Sequence, residues 1–378
     1  MKIFGVCAGI LLIVMVLWET FETIVLPRRV TRQFRLTRMF YRISWRPWAA
    51  LAEMRRTKKK RDALLSYYGP LSLLLLLAFW AFTLVFGFGL LHYGLHDKMA
   101  GTLFRSDFWN ALYFSGTTLF TLGLGDVVPA SPMGRFVTVL EGGIGFGFLA
   151  LVIGYLPVLY QSFSRREVTI SLLDARAGSP PTAVELFRRQ SGAHGIEALT
   201  ELLEHWEQWS AELMESHLSY PVLAYFRSQH DNQSWIASLT AILDVCTLAM
   251  VGLEGMCQYQ ARMTFAMARH ALVDLSQVFG APPEKDSQRD RLPPDKLGEL
   301  RRELAAAGFA LADGEAAMSE LKRLRGLYEP FAFALADYLL LELPPWIKTS
   351  KAKDNWQTTA WQSRSQAAVA APVQDEHL

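Results

Sequence analysis

Thr121, Gly123, Gly125 and Asp126 fall within one short polar stretch, Thr118–Pro129, TLFTLGLGDVVP. Two glycines one residue apart open backbone angles barred to other residues, and a threonine hydroxyl stands just before them. Backbone this bare can turn the carbonyls of Thr121, Leu122, Gly123 and Leu124 to one side. With the Thr121 hydroxyl they make a set of uncharged oxygens, and rings of such oxygens replace the hydration shell of a cation. The chemistry on offer is ion coordination by main chain. No nucleophile–base motif accompanies it, so nothing argues for an enzyme, and no organic cofactor is implied.

Such a loop has to be held by elements on both sides. A membrane-crossing helix needs roughly 20 predominantly apolar residues, and three segments meet that need: Phe4–Leu26, with Glu19 and Glu22 near one end, Tyr68–Tyr93, and Phe136–Phe163, with Glu141 as its formal charge. Lys2 and the run after it resemble a signal peptide, but Trp18-Glu19-Thr20 is no small-residue cleavage site, so a retained helix is expected. Between Asp107 and Asp126 lie 18 more residues without formal charge. A fourth crossing there is rejected, because Ser115, Gly116, Thr117, Thr118, Thr121, Gly123 and Gly125 are too small and polar for lipid. It would also carry Arg165 and Arg166 to the wrong side. A re-entrant segment answers both objections. A short helix, Phe108 to about Phe120, enters the membrane and stops where the glycines begin, since non-helical backbone is tolerated at depth when it is buried in protein or lines water. Its C-terminal dipole end is negative and faces the loop.

Charge sets the orientation. Residues 1–164 hold 17 Lys+Arg against 8 Asp+Glu, and the remainder 21 against 28, so a basic membrane half precedes an acidic soluble half. The segment Arg28–Arg61 carries 13 Lys/Arg and one acid, Glu53. By the positive-inside rule it is cytoplasmic, which sets the N-terminus outside and the C-terminus in the cytoplasm of a multi-pass plasma (inner) membrane protein. The basic residues cluster beside apolar spans, which disfavours nucleic acid as a partner. Arg29, Arg32, Arg35 and Arg38 have the spacing of a voltage sensor. Pro27 before them and Thr31, Gln33 and Thr37 between them favour instead an interfacial helix on the anionic inner leaflet, anchored by Phe34, Phe40, Tyr41, Trp45 and Trp48. Glu19 and Glu22 are expected to pair with Arg28, Arg29 or this basic segment.

Span, short helix, T-L-G-L-G-D and span resemble the pore module of potassium channels, whose usual filter is T-V-G-Y-G-D. The resemblance covers roughly residues 66–165. It implies that Thr121, Leu122, Gly123, Leu124, Gly125 and Asp126 form the selectivity filter and bind K+ through their carbonyls. It also implies that Gly145, 20 residues beyond Gly125, is a hinge of the inner helix, and that Leu149, Ile153 and Pro157 line the cavity below. An alternative for the glycines of EGGIGFGF is close helix packing. The filter scaffold would comprise Tyr113, Phe114, Thr117, Thr118, Phe120 and Glu141, the last lying behind the pore helix. Leu124 replaces the family's tyrosine and Phe120 a small hydroxyl residue. A filter of this type needs four loops and the chain supplies one, which implies a homotetramer. The expected function is potassium-preferring conduction. The alternatives are a non-selective monovalent cation channel and a non-conducting, membrane-anchored sensor or scaffold.

The expected fold class is an all-α membrane protein: three transmembrane helices plus a re-entrant pore helix and filter loop, then an all-α cytoplasmic domain. The expected divisions are a first span at 1–27, a basic interfacial linker at 28–65, the pore module at 66–165, the helical domain at 166–345 and a disordered tail at 346–378. Candidate helices of the domain are Thr182–Gln190, Gly195–His217, Tyr220–Arg227, Ser234–Gly252, Gln258–Phe279, Lys296–Ala312 and Gly314–Leu341. His217, His230, Asp231, Asp244 and the pair His270/Asp274 lack metal-ligand spacing and are expected to serve core hydrogen bonds and caps, with an unidentified cytoplasmic ligand as the minority reading. Cys7, Cys246 and Cys257 make no disulfide framework.

Overall fold

The computed structural model describes residues 2–26, 36–95, 99–100, 108–192, 194–230, 232–252, 256–283, 289–348 and 354–357. The fold is helical almost throughout and divides into two compact units, Met1–Ser162 and Phe163–Leu378. The first holds α1 (Lys2–Thr20), which runs on through a π-helical turn at Phe21–Val25, then α2 (Leu36–Glu53), α3 (Lys58–Ser66), α4 (Tyr68–Gly94) and α5 (Phe108–Leu119). Helix α6 (Pro132–Ala177) contributes residues to both units.

Glycine sets how closely α1 lies along α4. A Cβ at Gly9 would stand 2.6 Å from the Gly87 carbonyl oxygen, and one at Gly87 3.2 Å from that of Gly9. Small residues at facing positions let two backbones approach in a membrane, where hydrophobicity alone does not drive helices together. Val16, Trp80 and Leu84 are fully buried, while Ile3, Phe4, Leu11 and Val14 point outward as lipid-facing side chains should.

The basic linker forms two helices. The Glu19 carboxylate reaches from α1 to the start of α2, accepting from Leu36 N at 3.0 Å and from Thr37 N and Oγ1 at 3.3 and 3.0 Å. An anion at a helix N-terminus satisfies orphan N–H groups and complements the dipole. Glu19 therefore meets the basic segment through its main chain. Glu22 accepts from Trp18 Nε1 at 2.7 Å. Arg28, Arg29, Arg32, Phe34 and Arg35 lie outside the described residues. Tyr41 and Trp45 do not reach toward lipid as expected. Both are buried, and Trp45 packs on Tyr68 with ring centroids 4.8 Å apart. The outward face of α2 carries Met39, Ile43 and Leu51 beside Arg38, Arg42 and Arg46 at four-residue spacing.

The second unit contains α7 (Ala183–Arg189), α8 (Gly195–Ser219), a 3-10 turn at Pro221–Tyr225, α9 (Trp235–Gly252), α10 (Met256–Phe279), α11 (Pro294–Ala306), α12 (Glu315–Gly326) and α13 (Glu329–Leu339). Thr182 caps α7, its hydroxyl accepting from Glu185 N at 3.3 Å, the first half of a capping box. Among the described residues four helices, α9 included, are long and apolar enough to cross a membrane. Every residue of α9 from Trp235 to Ala249 is buried, however, beneath α7, α8, α10, α12 and α13. At its centre Asp244 accepts from Arg291 and from Tyr328 OH, the latter at 2.5 Å. This helix is the core of the second unit.

Four expectations change. Tyr220–Arg227 is only a 3-10 turn at Pro221–Tyr225, and the helix expected over Lys296–Ala312 runs from Pro294 to Ala306. Gly314–Leu341 is not one helix, because Pro330, without an N–H, fits only a first turn, and α13 begins there. Residues assigned to a disordered tail also belong to the fold. Trp346 is buried with Arg291 and Arg325 guanidinium groups over its ring at 5.7 and 5.6 Å. Asp354 is buried and accepts from Ser179 N at 3.1 Å, Lys348 Nζ at 2.8 Å and Arg189 at 2.5 Å. The rest of 346–378 lies outside the described residues.

His217 is buried with Nε2 accepting from Arg166 at 3.2 Å and Nδ1 donating to Leu213 O at 2.9 Å. Burial first, and then the Arg166 charge, push the imidazole well below its usual 6.5. Below that pH the unfolded chain binds a proton that the fold refuses, so stability falls as pH drops, by up to about 1.4 kcal/mol per pH unit. Thermal unfolding of the purified protein between about pH 7.5 and pH 5, followed by tryptophan fluorescence, should show this loss. His217→Gln should flatten it, and an unchanged slope in the variant would assign the acid sensitivity to other groups.

Candidate functional site

Helix α5 docks on α4, where Gly89 lets Leu112 approach: a Cβ there would meet Leu112 at 3.1 Å. Ala111, Phe114, Ser115, Thr117 and Leu119 form its buried face. The helix ends by turning its N–H groups back on itself. Phe120 N donates to Gly116 O at 3.1 Å and Thr121 N to Thr118 O at 3.0 Å. Leu122 N and Gly123 N then both donate to Thr117 O, at 2.8 and 3.2 Å. Thr117 itself is fixed by a hydroxyl bond to Phe114 O at 2.9 Å.

Beyond this end the backbone alternates in hand. Thr121, Gly123 and Gly125 have φ of 58°, 55° and 74°, while Leu122 and Leu124 between them keep negative φ. Alternation of this kind directs successive N–H groups to one side of the chain and carbonyls to the other. A β-branched residue at positive φ is an outlier that costs on the order of 1–3 kcal/mol and persists only where its surroundings impose it. Among the described residues, none of the Thr121–Gly125 carbonyls accepts a hydrogen bond. Residues 120–126 are all exposed on the single chain.

At the far end of the loop Asp126 accepts from Tyr113 OH at 2.9 Å and from Val127 N at 3.1 Å. A two-residue pairing, Met99 with Pro129 and Ala100 with Val128, ties the strand that follows to the segment leaving α4. Phe114 is buried edge-on against His92, with centroids 5.1 Å apart. Phe120, named with the filter scaffold, is half exposed on the single chain.

Glu141 and Gly145 bring α6 to α5. A Cβ at Gly145 would lie 2.1 Å from the Leu119 carbonyl oxygen, so only glycine allows this approach. Glu141 is buried and its Oε1 accepts from Ser115 Oγ of α5 at 2.5 Å. Its Oε2 lies 3.1 Å from His92 Nε2 of α4. Residues 134, 137, 141 and 145 are the buried face of α6 over this stretch, and Leu149, Ile153 and Pro157, four residues apart, are exposed. A family model described as ion channel matches residues 74–161.

Residues 74–161 are thus similar to the ion-channel family. The chain is also 27% identical over 199 residues to an uncharacterized membrane protein, YdjJ, of Bacillus subtilis (strain 168), covering 52% of this chain and 57% of that protein. It thus spans a little over half the length of this curated relative. No solved structure matches.

The matched segment contains α5, the loop and most of α6. Sequence reasoning missed His92, whose only signal was an imidazole near the end of a span, and the Tyr113–Asp126 bond. The candidate ligands of the second unit do not gather. Among the described residues no three His, Cys, Asp or Glu side chains could hold a metal. His270 pairs with Asp274 at 3.4 Å on the surface, and Asp231 lies outside the described residues.

Gly145→Ala forces a methyl group onto the Leu119 carbonyl at the end of α5. It should destabilise the purified protein by about 1–3 kcal/mol, in line with overpacking of a filled core, read as a lower unfolding temperature. An unchanged temperature would show that α5 can move aside freely.

Proposed function

We propose that this chain is one subunit of a homotetrameric, potassium-preferring channel of the plasma (inner) membrane, with its N-terminus outside and its C-terminal unit in the cytoplasm. The observation that carries the reading is the alternating backbone of Thr121–Gly125, with N–H groups of Leu122 and Gly123 spent on Thr117 and carbonyls left without partners. Four such loops around an axis supply rings of oxygens that replace the water around a dehydrated K+. Ions then pass from ring to ring between Asp126 at the outer end and Thr121 at the inner. One chain supplies one loop, and closed cyclic symmetry is the economical way to gather four. The single-sided burial of α6 suits this arrangement, leaving Leu149, Ile153 and Pro157 free to line an inner cavity. Gating is assigned to α6 around Gly145 and Pro157, where the contact of Gly145 with Leu119 joins any bend to the end of the pore helix.

The outward stripe of Arg38, Arg42 and Arg46, beside Met39, Ile43 and Leu51, suits a helix lying on an anionic inner leaflet. A regulatory ligand of the second unit would be sought in the groove of about 270 Å³ between α6 and α8, lined by Arg176, Glu201, His205 and Trp206.

Purified protein in proteoliposomes should take up K+ in preference to Na+, and Gly123→Asp should abolish the flux by placing a side chain where the backbone requires positive φ. Equal K+ and Na+ flux would favour a non-selective cation pore, a reading that Leu124, with no hydroxyl to tie the filter to its scaffold, keeps in view. No flux of either ion would make the chain a membrane-anchored scaffold.

A further inference from the structure

Three helices meet at one carboxylate. Glu141 of α6 receives Ser115 Oγ of α5 on one oxygen and faces His92 Nε2 of α4 with the other. Ser115 Oγ also lies 2.8 Å from Val85 O of α4. His92, Ser115 and Glu141 have relative exposures of 1%, 0% and 0%. All three stand within the first unit, behind the pore helix and away from the loop carbonyls.

A carboxylate held out of water carries a desolvation penalty of several kcal/mol, and well-packed apolar residues of similar volume are often the more stable choice. What an apolar contact lacks is a fixed length and direction. Hydrogen bonds weaken steeply away from about 2.7–3.0 Å and from linear geometry, so this junction sets the rotation and height of α5 relative to its neighbours. Those settings pass directly to the loop. Ser115 lies two residues before Thr117, whose carbonyl holds Leu122 and Gly123. Discrimination between monovalent cations depends on cavity size or on the number and field strength of the carbonyls, and both change if α5 turns. The apolar side chain of Leu124 supplies no hydrogen bond of its own to restrain the loop, which raises the demand on the helix behind it.

We propose that Glu141 and His92 are positioning residues for ion selection: acting through Ser115, they hold the pore helix at the setting that spaces the filter carbonyls for K+. This rests on the channel reading above. Neither side chain touches the ion.

The test is the K+/Na+ permeability ratio, taken from reversal potentials of the full-length tetramer in planar bilayers. Glu141→Leu should lower the ratio about tenfold or more, while Glu141→Gln, which keeps an acceptor for Ser115, should stay within about threefold of wild type. A merely structural role would change yield or unfolding temperature and leave the ratio alone. Should Glu141→Leu fail to assemble, Ser115→Ala serves, since it leaves Glu141 facing His92 and removes from α5 the one hydroxyl that reaches Glu141 and Val85 O. The same loss of selectivity is expected of it. An unchanged ratio in Ser115→Ala, or in an assembled Glu141→Leu, overturns the proposal while leaving the channel reading intact. A wild type that passes K+ and Na+ alike overturns it as well, and a wild type that passes neither removes both.

Discussion

Main chain that leaves a helix at membrane depth has no water to satisfy its N–H and C=O groups. The first unit meets that constraint unevenly. Its first three donors, Thr121 N, Leu122 N and Gly123 N, turn back onto α5, two of them onto the single Thr117 carbonyl, and the acceptors from Thr121 to Gly125 remain unpaired. A loop so arranged cannot hold itself, because half of its hydrogen-bonding capacity points away from protein. Its shape has to come from the end of α5, and the end of α5 has to be fixed by its neighbours. The close passage of Gly145 beneath Leu119, the approach of Leu112 to Gly89 and the Ser115–Glu141 bond each fix a different part of that short helix. The positive φ of Thr121 is the strain that remains.

The features that sequence exposes best are local and chemical. Long apolar runs announced the spans, and glycine at alternate positions announced a loop with unusual backbone angles. The short helix before it was legible because a polar, small-residue stretch between two spans has few other solutions. Contacts across long separations were less accessible. Glu141 could be assigned to the rear of the pore helix by counting turns, but nothing near His92 names a partner 49 residues away. Composition also fails where two environments are equally apolar. Tyr41 and Trp45 have the character of lipid anchors, yet they are packed in protein, since neither setting needs a different side chain. Helix α9 repeats the ambiguity on a larger scale. Its residues would suit a bilayer, and only the helices around it show that it is a core.

In the second unit Pro330 was a stop signal that a long helical pattern obscured, and its lesson is mechanical rather than statistical. A proline inside the pattern has to become the first turn of a new helix or leave a carbonyl unpaired. Trp346 and Asp354 escaped for the opposite reason. The chain around them is rich in Lys and Thr and lacks periodicity, so composition places it in solvent, while two specific side chains carry it onto the domain.

Charge is used similarly in both units. Glu19 binds the N–H groups that open α2, and Arg166 donates to the carbonyls of Leu223 and Phe226 at 2.9 and 2.7 Å. Arg291 donates to Pro344 O as well as to Asp244, and Asp354 accepts from Ser179 N. In each case an ionised side chain is bonded to backbone far away in sequence. Apolar packing stabilises helices against one another but tolerates sliding and rotation, because many arrangements bury similar area. A buried charge tolerates little, since losing its partner costs about 3–5 kcal/mol. Among the described residues no disulfide or metal cluster performs this service. The few helix positions that have to be definite, above all that of α5, are therefore held by carboxylates, guanidinium groups and a histidine placed out of water.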